Sequence, residues 1–196
     1  MLQISLILFQ SMNPILASAI LPGWGELLTG RRTEARVFFI VEGSLWSSYV
    51  GFNYFGHKTM FSSQAFAVGH AGANPLQRDE DYYNIIEDFD SSDDYNLKVE
   101  RDASYYYPND PVGQQEYIAE NAYSGDDSWS WDTLSSRIKY WERRKAGRED
   151  LRRASFVSGF LIIDRIVSVI NVAVFTKTPN INLDSEPGKI GIYYKF

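Results

Sequence analysis

Polar side chains interrupt two apolar segments of this 196-residue chain, and they are the first residues to consider for chemistry. In residues 37–55, a glutamate and an asparagine share one helical face with two aromatic residues. In residues 154–175, an aspartate, a serine and an asparagine recur at helical spacing beside an arginine. Polar groups of this kind are costly inside a membrane and are functional candidates there. The residues are Glu42, Asn53, Asp164, Arg165, Ser168 and Asn171.

Two interpretations of these residues imply different functions. The first is a proton or ion path that uses the intramembrane carboxylates of Glu42 and Asp164, with Arg165 as a counter-charge. The second is an intramembrane polar lock, in which hydrogen bonds between facing helices fix their pairing. The lock is favoured because three apolar segments are few for a transporter, and no inverted repeat occurs in the sequence.

Patterns for other active sites do not occur. The chain has no cysteine and only two histidines, His57 and His70, neither at metal-ligand spacing. The acidic run EDFDSSDDYN lacks the central glycine of a calcium loop and has Val99 at the twelfth position from Asp88. Phosphate-binding, dinucleotide-binding and nucleophile-elbow motifs do not occur either. We therefore predict no catalytic residue, no cofactor and no metal, and a membrane-bound hydrolase is a weaker alternative.

The elements that must position the polar residues begin with residues 1–60, which are predicted to form a membrane hairpin. Asn13 and Pro14 favour a helix start, and Gly30 favours its end. Such a helix would measure roughly 24 Å, less than the ~30 Å thickness of a bilayer core. A signal peptide in residues 1–11 is the alternative for the first apolar run.

A Pro-Gly pair inside this short helix predicts a bend within or at the membrane. Residues 18–30 are therefore expected not to form one straight spanning helix. The bend residues are Pro22, Gly23, Trp24, Gly25 and Glu26. We expect the charge of Glu26 to lie near lipid headgroups or to face a neighbouring helix.

Two further segments have the length of spanning helices. Residues 37–55 contain a single charged residue. Their helix is expected to continue to about Gly69, because Gly72 and Pro75 follow as helix-terminating residues. Residues 154–176 form the second, with basic residues on both flanks. The positive charges on both sides of such a hairpin leave the topology open.

Residues 61–132 are predicted to form an acidic, tyrosine-rich soluble insertion. Between residues 79 and 130 the chain has fifteen acidic residues and two basic ones, Lys98 and Arg101. Because aliphatic residues are few, the insertion cannot form much core alone. We expect short helices and loops that pack on the membrane part.

Residues 133–153 are predicted to form a basic amphipathic helix that leads directly into the last apolar segment. Such a helix suits an anionic membrane surface. A solvated helix that pairs with the acidic insertion is an equal alternative. The basic residues assigned to the membrane surface are Arg143, Arg144, Lys145, Arg152 and Arg153.

The tail, residues 177–196, ends in an alternating pattern typical of a β-strand. The sequence shows no obvious second strand, so we expect this strand to pair with the sheet edge of a partner.

Four stretches resemble, in order, a family of bacterial envelope membrane proteins of unknown function. They are SAILPGWGELLTG, HAGANPLQRDEDYYNIIEDFDSSDDYN, WSWDTLSSRIKYWERRKAGRED and IIDRIVSVINVAVF. The family's mark is a hydrophobic Pro-Gly-x-Gly-Gln hairpin, in which this chain has Glu26 instead of glutamine. The family usually has Asn-Arg at Asp164-Arg165 and an acidic residue near Asn171. The resemblance implies a multi-pass helical envelope protein and no known activity.

These observations predict an all-α membrane protein with two to three intramembrane helices, an acidic Tyr-rich helical insertion, a basic amphipathic helix and a short C-terminal strand. The expected function is that of a non-catalytic structural or assembly subunit that docks a larger envelope protein complex. Its expected partners are membrane lipids and other envelope proteins, in a hetero-complex or a homo-oligomer. The net charge of −6 argues against nucleic acid. An inner membrane is favoured over an outer one.

Overall fold

The computed structural model describes residues 12–77 and 79–175, together with the backbone of two short strands. The signal-peptide alternative for residues 1–11 lies outside the described residues. The described helices are α1 (Pro14–Ile20), α2 (Trp24–Leu28), α3 (Arg32–Ala71), α4 (Glu80–Asp88), α5 (Ser92–Tyr106), α6 (Pro111–Asn121) and α7 (Leu134–Phe175), with a 3-10 turn at Gly125–Asp127.

The chain divides into two compact units. The first consists of Met1–Gly51 and Ala154–Phe196, and the second of Phe52–Arg153. The residues of α3 and α7 are therefore shared between the units. The acidic insertion, predicted to begin at residue 61, belongs to a unit that also includes residues 52–60 and the predicted basic helix.

The first unit begins with the break that the Pro-Gly pair predicts. The side chain of Asn13 caps α1 by accepting a hydrogen bond from the backbone N–H of Ile15. Helix α1 ends at Ile20, and α2 starts four residues later, after Gly23 at φ +93°. A Cβ atom at Gly23 would also lie 2.7 Å from the carbonyl oxygen of Ala35. Residues 18–30 therefore do not form one straight helix.

Helix α3 continues beyond the apolar segment, as the sequence predicts, and ends at Ala71 before Gly72 at φ +68°. The predicted basic helix and the last apolar segment form one helix, α7. Among the described residues, α7 is the one helix long and apolar enough to cross a membrane, and only 17% of its most apolar stretch is buried. The membrane placement of residues 37–55 stays a prediction.

The second unit has a largely aromatic core. It comprises Ala67, Ala71, Ala73, Tyr82, Tyr83, Ile86, Trp129, Trp131 and Tyr140. Because α3 and α7 supply some of these side chains, the aliphatic-poor insertion does not have to form a core alone. The ring polar groups find backbone partners: Trp131 Nε1–H donates to the carbonyl of Ile86 at 2.9 Å, and Tyr140 O–H to that of Tyr83 at 3.0 Å.

The tail contains two strands, β1 (Leu183–Glu186) and β2 (Lys189–Ile192). They pair antiparallel with Leu183 opposite Ile192. β1 therefore supplies a neighbour on one edge of β2 that the sequence analysis did not identify. Pairing of the tail with the sheet edge of a partner stays a prediction. The sequence of β1, LDSE, lacks the alternating pattern by which we recognised β2.

Candidate functional site

The polar residues buried in the first unit form a cluster of two hydrogen-bonded groups, each of which reaches α7. One part joins α3 to α7: Arg165 Nη2 donates to Glu42 Oε1 at 2.7 Å. The same carboxylate oxygen accepts from Trp46 Nε1–H at 2.9 Å, one turn along α3. Only 4% of the Glu42 side chain is exposed. An arginine and an indole thus satisfy one oxygen of a buried carboxylate.

The other part of the cluster joins the bend to α7 through Glu26, which is fully buried. The hydroxyl of Ser18 donates to Glu26 Oε2 at 3.1 Å, and that of Ser168 lies 3.0 Å from the same atom. Both hydroxyls also accept backbone hydrogen bonds, from Gly25 N–H at 3.2 Å and from Gly23 N–H at 3.1 Å. Glu26 therefore faces a neighbouring helix, and its carboxyl holds the two sides of the bend to α7.

The structure brings together most, but not all, of the residues predicted for the polar lock. Asp164 lies within hydrogen-bonding reach of Glu42, and Asn171 accepts a hydrogen bond from Arg31. The assignment of Asn53 to the polar lock has to be corrected. Asn53 belongs to the second unit, and the hydrogen bonds described for the cluster do not include it. It lies on the same helical face as Glu42, but eleven residues along a helix correspond to about 16 Å.

Two residues of the cluster, Ser18 and Arg31, were not singled out in the sequence analysis. Glu26 was assigned to the bend and was expected near headgroups or facing a neighbouring helix, and the second alternative is the one observed. Ser18 and Glu26 lie eight residues apart across a helix break, so no helical periodicity relates them. Arg31 also lies 4.5 Å from the ring centre of Phe175, which places it against the last turn of α7. In the sequence, the only indication of a role for Arg31 was its position immediately before α3.

The outer surface of the first unit is apolar. Its exposed side chains include Leu16, Ile20, Val37, Ile40, Val50, Phe160, Ile162, Ile166 and Ile170. Several of the most buried positions of this unit are instead polar: Ser18, Glu26, Glu42 and Ser168. This distribution is the inverse of that in a water-soluble protein, in which large apolar side chains are buried.

One of the predicted membrane-surface residues is not at a surface. Arg144 is fully buried in the second unit, where its Nε donates to Glu87 at 2.9 Å. It also bonds Glu80 and Asn84, and Arg148 binds Glu87 through two contacts of 2.7 Å. The alternative, in which this helix pairs with the acidic insertion, is therefore correct for Arg144. A buried arginine needs such carboxylate partners.

The other four basic residues are exposed. Arg143 lies over the ring of Phe66 at 4.3 Å, and Lys145 over that of Trp141 at 4.9 Å. Arg153 pairs with Asp150 at 2.9 Å. Contact of Arg143, Lys145, Arg152 and Arg153 with a membrane stays a prediction.

The arginines also set the protonation of the buried Glu87. Burial raises the pKa of this carboxyl, but the hydrogen bonds from Arg148 and Arg144 outweigh it, so that the pKa lies below the usual glutamate range. Burial raises the pKa of Tyr123 to about 12, and that of Tyr140 well above the usual tyrosine range. These tyrosines are neutral hydrogen-bonding groups at any physiological pH.

A cluster of tyrosines lies where α5 meets α6. Tyr105 is 80% exposed and Tyr106 61% exposed. The rings of Tyr106 and Tyr107 lie 5.8 Å and 6.2 Å from that of Tyr117 on α6. We call these four residues the tyrosine patch. Aromatic side chains exposed together on an otherwise acidic surface are typical of protein interfaces.

No protein-family model, curated protein or solved structure matches the chain.

Proposed function

We propose that the chain is a membrane-embedded, non-catalytic structural or assembly subunit, with the first unit as its anchor and the second as a docking module. The observation that carries this proposal is the inverted polarity of the first unit, in which apolar side chains face outward and carboxyl and hydroxyl groups face inward. Lipid is the solvent that makes this distribution favourable. The polar cluster then fixes helix pairing, where the hydrophobic effect between helices is absent.

In this proposal two or three elements lie in the membrane. Residues 154–175 of α7 and 37–55 of α3 each have the length of a span. Helices α1 and α2 are too short for that, because the seven residues of α1 extend only about 10 Å. The bend would therefore enter the bilayer without crossing it. A helical anchor favours an inner membrane, since outer-membrane spans are β-barrels.

The second unit supplies the docking surface. Its exterior is acidic, and the tyrosine patch offers aromatic contact area at low entropic cost. We propose that this surface receives a basic segment of a larger protein complex. The resemblance to a bacterial envelope family is consistent with such a complex.

Native electrophoresis after extraction in a mild detergent tests the docking role. Protein at native expression levels should migrate in a complex much larger than 22.5 kDa. The double variant Tyr105→Ser/Tyr106→Ser should migrate as the free subunit. The matched control is Leu76→Ser, which changes an equally exposed apolar residue of the same unit, and it should leave the complex intact. A wild-type protein that migrates as a lone monomer would contradict the proposal.

Alkaline carbonate extraction tests the anchor independently. The protein should stay in the membrane pellet and enter the soluble fraction only with detergent. Release by carbonate alone would show that the first unit is not embedded.

A further inference from the structure

Two buried carboxylate oxygens in the first unit have no hydrogen-bond partner. They are Oε2 of Glu42 and Oδ2 of Asp164. The two side chains lie within hydrogen-bonding reach of each other, on α3 and α7. Buried polar atoms are nearly always hydrogen-bonded, so two unpartnered acceptors side by side need an explanation.

The charges around the pair do not balance if every carboxyl is ionised. Glu42 on α3 and Asp164 on α7 form the pair, and Glu26 on α2 is a third carboxyl whose charge acts on it. The cation facing them is Arg165, and it is engaged with the other oxygen of Glu42 at 2.7 Å. The carboxyl of Glu26 accepts hydrogen bonds from the hydroxyls of Ser18 and Ser168, which carry no compensating full charge.

The other cations at the start of α3 are exposed or have other partners, and Arg32 and Arg36 are exposed. Arg31 hydrogen-bonds Asn171 and pairs with Glu34 at 3.6 Å. Two adjacent carboxylates with one arginine would leave uncompensated negative charge in a buried site. Carboxyl pairs at such short range relieve this repulsion by retaining a proton.

We propose that Glu42 and Asp164 hold one proton between them. The protonated oxygen of Asp164 donates to Glu42 Oε2, while Glu42 Oε1 accepts from Arg165. One proton thereby supplies the missing partner of both orphan oxygens, and the negative charge that remains on the pair is matched by Arg165. The site is an acid–carboxylate pair whose ligand is a proton, and it does not depend on what the second unit binds.

Infrared difference spectroscopy of the purified protein in lipid nanodiscs tests the proposal. At neutral pH the wild-type protein should show the C=O stretch of a protonated carboxyl, with a shift in heavy water. Asp164→Asn should remove that signal. Glu42→Gln should remove the same signal, because Asp164 without its carboxylate neighbour ionises beside Arg165. Loss in both variants is the signature of a shared proton, since an isolated protonated Asp164 would keep its signal in Glu42→Gln.

The matched control is Glu34→Gln, which neutralises an exposed carboxylate of α3 and should leave the signal unchanged. Asparagine and glutamine resemble the neutral acid in shape, so folding of each variant is checked by its retention in the nanodisc at the wild-type yield. A wild-type spectrum whose protonated-carboxyl signal is identical to that of Asp164→Asn would overturn the proposal. So would a melting temperature that rises with Na⁺ in the wild type but not in Asp164→Asn, because a metal cation would then occupy the site.

Discussion

The two units of the chain differ in the kinds of side chain that they bury and expose. In the first unit carboxyl and hydroxyl groups are buried and aliphatic side chains are exposed, whereas in the second an aromatic cluster is buried and acidic side chains are exposed. Residues of the same two helices contribute to both units. Helix formation alone therefore does not decide which side chains are buried. In the anchor role proposed above, the solvent around each unit makes the difference, because apolar side chains leave water but gain nothing by leaving lipid.

The units also differ in how their buried carboxyls are partnered. Each buries an ion pair, Arg144 with Glu87 in the second unit and Arg165 with Glu42 in the first. The first unit in addition buries Glu26, whose carboxyl accepts hydrogen bonds from serine hydroxyls. In the second unit the ion pair crosses from α4 to α7 and specifies how the acidic insertion docks. In the first unit the hydrogen bonds of Glu26 cross from the bend to α7. Each unit thus places a buried carboxyl at a junction between elements that the local sequence leaves undetermined.

The largest expected effect comes from breaking the ion pair of the second unit. Arg144→Ala removes a fully buried side chain and one of the two arginines that bind Glu87, and it should destabilise the second unit by about 3–5 kcal/mol. Denaturant unfolding, followed by the near-ultraviolet circular dichroism of the buried tryptophans, measures this loss. Its neighbour Arg143 is exposed, so Arg143→Ala should change stability little. Equal losses in the two variants would show that burial of Arg144 does not matter.

A charge placed on the exposed apolar surface should affect membrane retention in the first unit and not in the second. Ile166→Arg puts a cation on the exposed apolar face of the first unit, with an insertion cost of about 2.5–3.5 kcal/mol near the centre of a bilayer. The measurement is the fraction of protein retained in carbonate-washed membranes. Leu97→Arg changes an equally exposed residue of the second unit and should have no effect on retention. If both variants are retained equally, the outer face of the first unit does not contact lipid.

The close packing of the bend gives a smaller expected effect. A Cβ atom at Gly25 would lie 2.2 Å from the carbonyl oxygen of Pro14, so Gly25→Ala must separate α1 from α2 at a cost of about 1–3 kcal/mol. At Gly43 on α3 a Cβ atom has no neighbour within 4 Å, so Gly43→Ala should be neutral or stabilising. Thermal stability in detergent compares the two. A Gly25→Ala protein as stable as Gly43→Ala would mean that the bend is not tightly packed.

The smallest expected effect is the acid sensitivity of the second unit. Because the pKa of Glu87 is lower in the folded state than its ordinary value, the ion pair contributes fully above the usual glutamate range. The contribution is lost as the pH falls through the lowered pKa. A pH series of denaturant unfolding curves measures it. Glu87→Gln should start less stable and lose less on acidification, and parallel pH curves for the two proteins would rule out Glu87 as the source.

Local signals in the sequence predicted the helix boundaries well. Asn13-Pro14 starts α1, Pro22-Gly23 separates α1 from α2, and Gly72 ends α3. Each of these signals acts within one turn of chain, through a capping side chain, a fixed or left-handed φ, or a missing N–H group. For the same reason residues 18–30 were expected to bend before any tertiary contact was known.

Only the tertiary structure decided which polar residues meet. The sequence placed Arg144 on a basic helix among residues of similar type, and nothing local distinguishes it from exposed Arg143. Likewise Asn53 shares a helical face with Glu42 yet belongs to the other unit, while Glu26 reaches Ser168 across 142 residues. Helical periodicity identifies which residues share a face of one helix. A buried carboxyl, however, needs hydrogen-bond donors from another element. Its partners are therefore set by packing, which the sequence of one segment does not contain.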